Sequence, residues 1–187
     1  MPYLRQVGRM GKPVVMSTGM TTLHEVEAAM NVLLEAGVNK NDLTILHCNT
    51  QYPTPMADVN LKSMLTIRDE LRVNVGYSDH TLGIEVPIAA VAMGATVIEK
   101  HFTLSRALPG VDNPMSADPE TFRALVDGIR GVEAALGSGL RTVLKEEEEL
   151  LLAARRGVYS RGTISLGQTI TADMVAVRRP LSAIPSE

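Results

Sequence analysis

The 187-residue chain carries 18 Lys and Arg against 21 Asp and Glu, a formal net charge of −3, with 45% hydrophobic and 21% charged residues. That is the balance of an ordinary globular protein with a real core, and it gives no electrostatic basis for nucleic-acid or membrane-surface binding. A single cysteine, Cys48, excludes a disulfide framework and fits a reducing compartment. No signal-like or membrane-length apolar run is found, so a cytoplasmic protein is expected.

Taken in order, Met1–Lys12 is a basic, partly amphipathic start that fits the end of a helix. Pro13–Ser17 reads as a short apolar strand, followed by a turn at Thr18-Gly19-Met20. Thr22 and Glu25 form a capping box, in which the hydroxyl accepts from an early amide and the glutamate reaches back. The helix it opens carries Val26, Ala29, Met30, Leu33 and Leu34 at helical spacing, and Gly37 closes it. Leu43–Cys48 is a second strand. Gln51–Pro55 holds two prolines and must be a loop at that strand's carboxyl end. Leu61–Leu71 is a helix.

The stretch Asn74–Phe102 reads as a βαβ unit, with strands at Val73–Tyr77 and Ala95–His101 around a helix-length apolar segment, Ile84–Met93. His80 follows the first strand and His101 ends the second. Neighbouring parallel strands lie about 4.8 Å apart, so groups at equivalent ends reach a common point. Taken singly, a histidine near a strand is more often structural than a ligand. Two at matching ends, with Asp79 and Glu99 beside them, make a partial metal site an equal contender. His24 reads as a surface residue, and His47 and Cys48 as strand residues.

Thr103–Ser116 is irregular. Asp118-Pro119 supplies an N-cap and a first-turn proline for a helix to about Leu136. Four consecutive glutamates, Glu146–Glu149, mark a solvated helical turn or linker. From Arg156 the mixture of β-branched residues and turn signals reads as a separate β-rich module. The expected organisation is a partial barrel at 1–140, an acidic linker or helix at 141–155, and the start of the module at 156–187. Repeated βα units argue for a parallel α/β fold, either an open doubly wound sheet or half of an eight-stranded barrel. No glycine-rich nucleotide fingerprint follows any strand. Each polar cluster falls at a strand's carboxyl end, where barrels of this kind carry their active sites.

The strings KPVVMSTGM, LHCNTQYPTP, NVGYSDHTLG, IEKHFT and LPGVDNPMS resemble, in order, motifs of the sialic acid synthases, a family that includes the legionaminic and pseudaminic acid synthases. The resemblance implies an α/β fold: a parallel (β/α) barrel of TIM type, here its second half, followed by the start of an antifreeze-like domain. It implies condensation of phosphoenolpyruvate with an N-acetylated amino-sugar aldehyde such as N-acetylmannosamine, giving a nine-carbon 2-keto acid and phosphate. The cofactor implied is Mn²⁺ or Mg²⁺, with His80 and His101 as its ligands. Ser17 and Ser78 resemble residues that hold the enolpyruvate phosphate. Tyr52, Asp112 and Glu99 resemble residues contacting the amino sugar, and Glu99 is the expected catalytic residue. Some members use asparagine for a phosphate contact where this chain has Thr50, preceded by Asn49.

The family barrel has eight units, and this chain is expected to begin just before the fifth, without the early strands that carry enolpyruvate-binding lysines. Inactivity of the isolated chain is therefore expected, together with a homo-oligomer or pairing with an N-terminal half. The alternatives are a non-catalytic homologue that retains metal or sugar-phosphate binding, and an unrelated metal-dependent lyase on the same strand ends.

Overall fold

The computed structural model describes residues 1–180. Two compact units divide the chain, the first spanning Met1–Ser138 and the second beginning at Gly139. The first holds α1 (Pro2–Gly8), β1 (Val14–Ser17), α2 (Leu23–Glu35), β2 (Leu43–Cys48), α3 (Lys62–Leu71), β3 (Asn74–Asp79), α4 (Glu85–Ala92), β4 (Ile98–Lys100) and α5 (Pro119–Leu136). Its four strands are parallel and ordered β1-β2-β3-β4, as consecutive βα units produce.

The sheet's two faces differ in kind. Val14, Met16, Leu43, Ile45, Val75, Tyr77 and Ile98 pack against Val26, Met30 and Leu33 of α2, Met64, Ile67 and Leu71 of α3, and Val86 and Ala90 of α4. Burying each large apolar side chain of this kind stabilises the fold by about 1.5–3 kcal/mol. The helices α2, α3 and α4 thus share one face. This excludes the doubly wound alternative, in which helices cover both faces, and matches a half-barrel. The opposite face carries rows of cross-strand partners: Ser17, Leu46 and Gly76 in one, and Cys48, Ser78 and Glu99 in the next.

The local signals act as their chemistry requires. The Thr22 side chain accepts from the Glu25 amide while the Glu25 carboxylate accepts from the Thr22 amide at 2.8 Å, closing the capping box. The Asp118 carboxylate accepts from the Thr121 amide at 2.8 Å and starts α5. That bond holds the Asp118 carboxyl below the usual carboxylate range, helped by the Thr121 side chain. Gly76 is required by close approach, because a Cβ there would run into the Val97 carbonyl oxygen and the Leu46 side chain.

Two boundaries differ from the sequence reading. The strand expected over Ala95–His101 is regular only at Ile98–Lys100, and His101 stands just past its end. Pairing with β3 continues upstream through the Thr96 amide to Val75 O at 2.8 Å, but Thr96 also gives its hydroxyl to that carbonyl at 3.0 Å and bends the chain. The strand expected at Val73–Tyr77 begins at Asn74 and runs on to Asp79. The glutamate-rich stretch, expected as a helix or a linker, is a helix: α6 spans Lys145–Ala154, with the Leu144 amide bonded to Glu147 at 2.9 Å. In the second unit α6 precedes an antiparallel pair, β5 (Gly157–Ser160) and β6 (Val175–Arg178). Tyr159 Oη donates to Pro180 O at 2.6 Å. The module expected at 156–187 is β-rich over its described part, and 181–187 lie outside the described residues. Among the described residues no helix is long and apolar enough to cross a membrane.

Gly76→Ala is expected to lower stability by about 1–3 kcal/mol, the usual cost of overpacking a filled interior. Thr22→Ala, which removes only a cap, should cost about 1 kcal/mol. Urea denaturation reads both, and a neutral Gly76→Ala would contradict the close approach of β3 to Val97.

Candidate functional site

At the carboxyl end of the sheet β3 and β4 lie in register, Ser78 beside Glu99 and Asp79 beside Lys100. Successive strand residues point to opposite faces, so these two pairs separate. On the helix side Lys100 Nζ donates to Asp79 Oδ2 at 2.6 Å, with the two side chains 3% and 0% exposed. The second carboxylate oxygen, Oδ1, accepts from the Thr81 amide at 2.9 Å and from Thr81 Oγ1 at 2.8 Å, while Lys100 Nζ also donates to Thr81 O at 2.9 Å. On the open face Ser78 Oγ donates to Glu99 Oε1 at 2.6 Å.

The residue just past the end of each strand is a histidine, and the two rings meet. Their centroids are 5.1 Å apart, edge to face. The Tyr52 ring completes the cluster, 4.2 Å from His80 and 5.6 Å from His101. The proline loop delivers Tyr52: the Thr54 amide donates to His80 O at 2.8 Å, the Thr54 hydroxyl donates to Gln51 O at 2.7 Å, and the Tyr52–Pro53 peptide is cis.

The hydrogen bonds choose the tautomer of one ring. His80 Nδ1 lies 2.6 Å from Asn49 O, and a carbonyl oxygen only accepts, so in the neutral ring Nδ1 carries the proton and Nε2 the lone pair. That is how metal-binding histidines are commonly oriented. The Asp112 carboxylate lies 3.9 Å from His101 Nδ1. The surroundings are acidic. Burial, then the neighbouring Cys48, Asp112 and Glu99, pushes the Tyr52 phenol above its ordinary value. Burial, reinforced by the Glu99 charge and opposed by a Ser78 hydrogen bond, raises the Cys48 thiol as well. Two imidazoles with the Asp112 and Glu99 carboxylates nearby are a donor set that a divalent cation could take. Among the described residues no group of three or more His, Cys, Asp or Glu could hold one unaided, so water or substrate would complete the shell.

Of the expected site residues, Ser78, His80, Glu99, His101, Tyr52 and Asp112 come together. Ser17 ends β1 on the same face, two strands from the Ser78 strand, and is exposed. Two inter-strand spacings put it about 10 Å from that strand. Thr50 lines a neighbouring cavity of about 730 Å³ with Thr18, Asn49 and Ser63. His24 is exposed, and His47 is buried in the core with Nε2 2.9 Å from Val59 O.

One expectation is corrected. Asp79 does not stand with the histidines: it faces the helices and its carboxylate is taken by Lys100 and Thr81. The sequence reading also missed Asn49, whose contribution is a backbone carbonyl and leaves no mark in side-chain patterns. It missed Lys100 as Asp79's partner too, although the strand period applied to SDHT and EKH places both on the face away from the histidines.

The chain matches the NeuB family over residues 1–141. It is 39% identical over 184 residues to N,N'-diacetyllegionaminic acid synthase of Campylobacter jejuni, covering 98% of this chain and 55% of that protein. It is 43% identical over 189 residues to the Legionella pneumophila protein of the same name, covering 100% and 53%. The N-acetylneuraminic acid synthetase from Leptospira borgpetersenii, solved with citrate, superposes with a TM-score of 0.71 at 34% identity, over 80% of this chain and 51% of that one. The chain therefore spans about half the length of the curated relatives it matches.

Removing one partner of a buried ion pair strands the other charge, which typically costs about 3–5 kcal/mol. Lys100→Ala is expected to lower stability by that amount. Adding Asp79→Leu to Lys100→Met, so that an apolar pair replaces the charges, should recover most of it. Guanidinium denaturation of the single and double variants checks both, and a harmless Lys100→Ala would show that the pair is solvated.

Proposed function

The chain belongs to the NeuB family, and we propose that its strand ends form part of a site that condenses phosphoenolpyruvate with an N-acetylated amino-sugar aldehyde. The ring cluster of Tyr52, His80 and His101 beside the Ser78–Glu99 pair is the observation that carries this reading. The names of the relatives, legionaminic acid synthases and an N-acetylneuraminic acid synthetase, support a product of the nine-carbon 2-keto acid class. In such a reaction the enol carbon adds to the aldehyde carbon, water adds at the adjacent carbon, and phosphate leaves.

His80 and His101 would hold a divalent ion, Mn²⁺ or Mg²⁺, which when bound polarises the aldehyde oxygen as a Lewis acid. Asn49 fixes the His80 tautomer through its carbonyl. Tyr52 and Asp112 flank the place where the amino sugar would lie. Glu99, held by Ser78, is set to hold or move a proton at the aldehyde-derived oxygen or at the attacking water. Ser17 and Thr50 offer hydroxyls to phosphate oxygens, and Ser78 would join them only by releasing the one proton it gives to Glu99; Thr50 stands where some members use asparagine.

The half-barrel is read as four of the eight βα units of a TIM-type barrel, and the stretch from Arg156 as the start of an antifreeze-like domain in a cytoplasmic enzyme. Relatives about twice as long support the first part. Strands β1 and β4 each pair on one side only in this sheet, and unpaired edges invite association. A polypeptide of these 187 residues is accordingly expected to self-associate or to pair with an N-terminal half. A compact monomer by light scattering at micromolar concentration would contradict this.

One observation favours the alternative that this stretch alone binds without catalysing. The lysine at the strand ends, Lys100, is consumed by Asp79 and faces away from the site. Enolpyruvate's phosphate and carboxylate need cations, each charge-assisted contact being worth about 1.5–3 kcal/mol.

Calorimetry tests the metal reading: Mn²⁺ should bind the wild-type chain, and His101→Ala should weaken it by about 10-fold or more. No heat of binding to folded protein would overturn the assignment. Supplied with enolpyruvate, N-acetylmannosamine and Mn²⁺, the 187 residues alone should release no phosphate, whereas a version carrying eight βα units should. Phosphate release by the short chain, abolished by His80→Ala, would show that its site is already sufficient.

A further inference from the structure

The buried pair behind the histidines has a use beyond holding two strands together. Asp79 is bonded to His80 through one peptide unit, and Lys100 to His101 through another. The two charged residues are register partners, so a single 2.6 Å contact fixes the spacing of the positions from which both imidazoles project. The carboxylate reaches past His80 as well, accepting from the amide and hydroxyl of Thr81, and Lys100 binds the Thr81 carbonyl. His80 is thus gripped on both sides along the chain, while Asn49 O fixes its ring.

A hydrophobic pair would serve stability as well. Desolvating two charges cancels much of their attraction, and apolar replacements of buried pairs are often neutral or stabilising. What an apolar pair lacks is direction. Four directional hydrogen bonds among Asp79, Thr81 and Lys100 specify one geometry where packing tolerates several. Both histidine rings lie on the opposite face from the charges, and among the described residues no hydrogen bond or ion pair joins either ring to Asp79 or Lys100, so the effect passes through the backbone.

We infer that the Asp79–Lys100 pair, with Thr81, is a positioning device that sets the mutual placement of the His80 and His101 rings. The inference rests on the metal-holding role read for those rings, and it deepens that role by naming what pre-arranges them.

The test compares wild type with the double variant Asp79→Leu/Lys100→Met, which keeps volume and removes direction, and with Thr81→Val, which removes one hydrogen bond and keeps both charges. Two readouts are taken on folded, metal-free 187-residue chain: Mn²⁺ affinity by calorimetry, and aromatic proton cross-relaxation between Tyr52 and His80 and between His80 and His101 by NMR. The double variant is expected to keep its denaturation midpoint near that of wild type, to lose the ring-to-ring cross-peaks, and to bind Mn²⁺ about 10- to 100-fold more weakly, the usual effect of losing the shell behind metal ligands. Thr81→Val should weaken binding about 2- to 10-fold, as one hydrogen bond would. A folded double variant with intact cross-peaks and affinity within about 2-fold of wild type overturns the inference. Should the double variant fail to fold, Thr81→Val decides by the same two readouts. Should wild type bind no Mn²⁺, the metal reading falls, and the cross-peaks alone decide whether the pair positions the rings.

Discussion

The contact on which the rest of this unit depends is the ion pair between Asp79 and Lys100, closed off from water at the end of two neighbouring parallel strands. A charge buried there without its partner would be untenable, so β3 and β4 can take only the register that joins the two. Strand periodicity does the remainder. Residues one step on from the pair must face the other way, and those residues are His80 and His101. The Ser78–Glu99 pair one step back faces the same way as the histidines, which places a hydroxyl, a carboxylate and two imidazoles on one face of the sheet end.

Around that anchor the half-barrel divides its labour between faces. Apolar side chains of all four strands are committed to the helices, which leaves the open face for small and polar groups. Gly76 shows how tight the arrangement is, since even a methyl group there would meet the Val97 carbonyl and the Leu46 side chain. The apolar face supplies the stability and the open face carries the polar groups, the division found in barrels whose active sites sit at the carboxyl ends of their strands.

Much of the fold was legible because its signals are local. The Thr22–Glu25 box, the Asp118 cap with Pro119, and the run Leu43–Cys48 each act within a few residues, and the observed elements begin where those signals stand. The motifs also carried the grouping of Tyr52 with the histidines. What was not legible depended on partners distant in sequence. Asp79 beside His80 looks like a second ligand until Lys100, 21 residues on, claims it. Asn49 acts through a carbonyl that every residue possesses. The bend at Thr96 depends on Val75, also 21 residues away, and shortens β4 by several residues.

We propose that the two imidazoles, held in place from behind, form the metal-binding centre of a synthase-type site. Crystals of the protein soaked in Mn²⁺ and measured at the manganese absorption edge test it most directly. An anomalous peak in contact with both His80 and His101, with Asn49 O still bonded to His80 Nδ1, is the predicted result. A manganese peak elsewhere in the chain, with neither imidazole in contact, would contradict it.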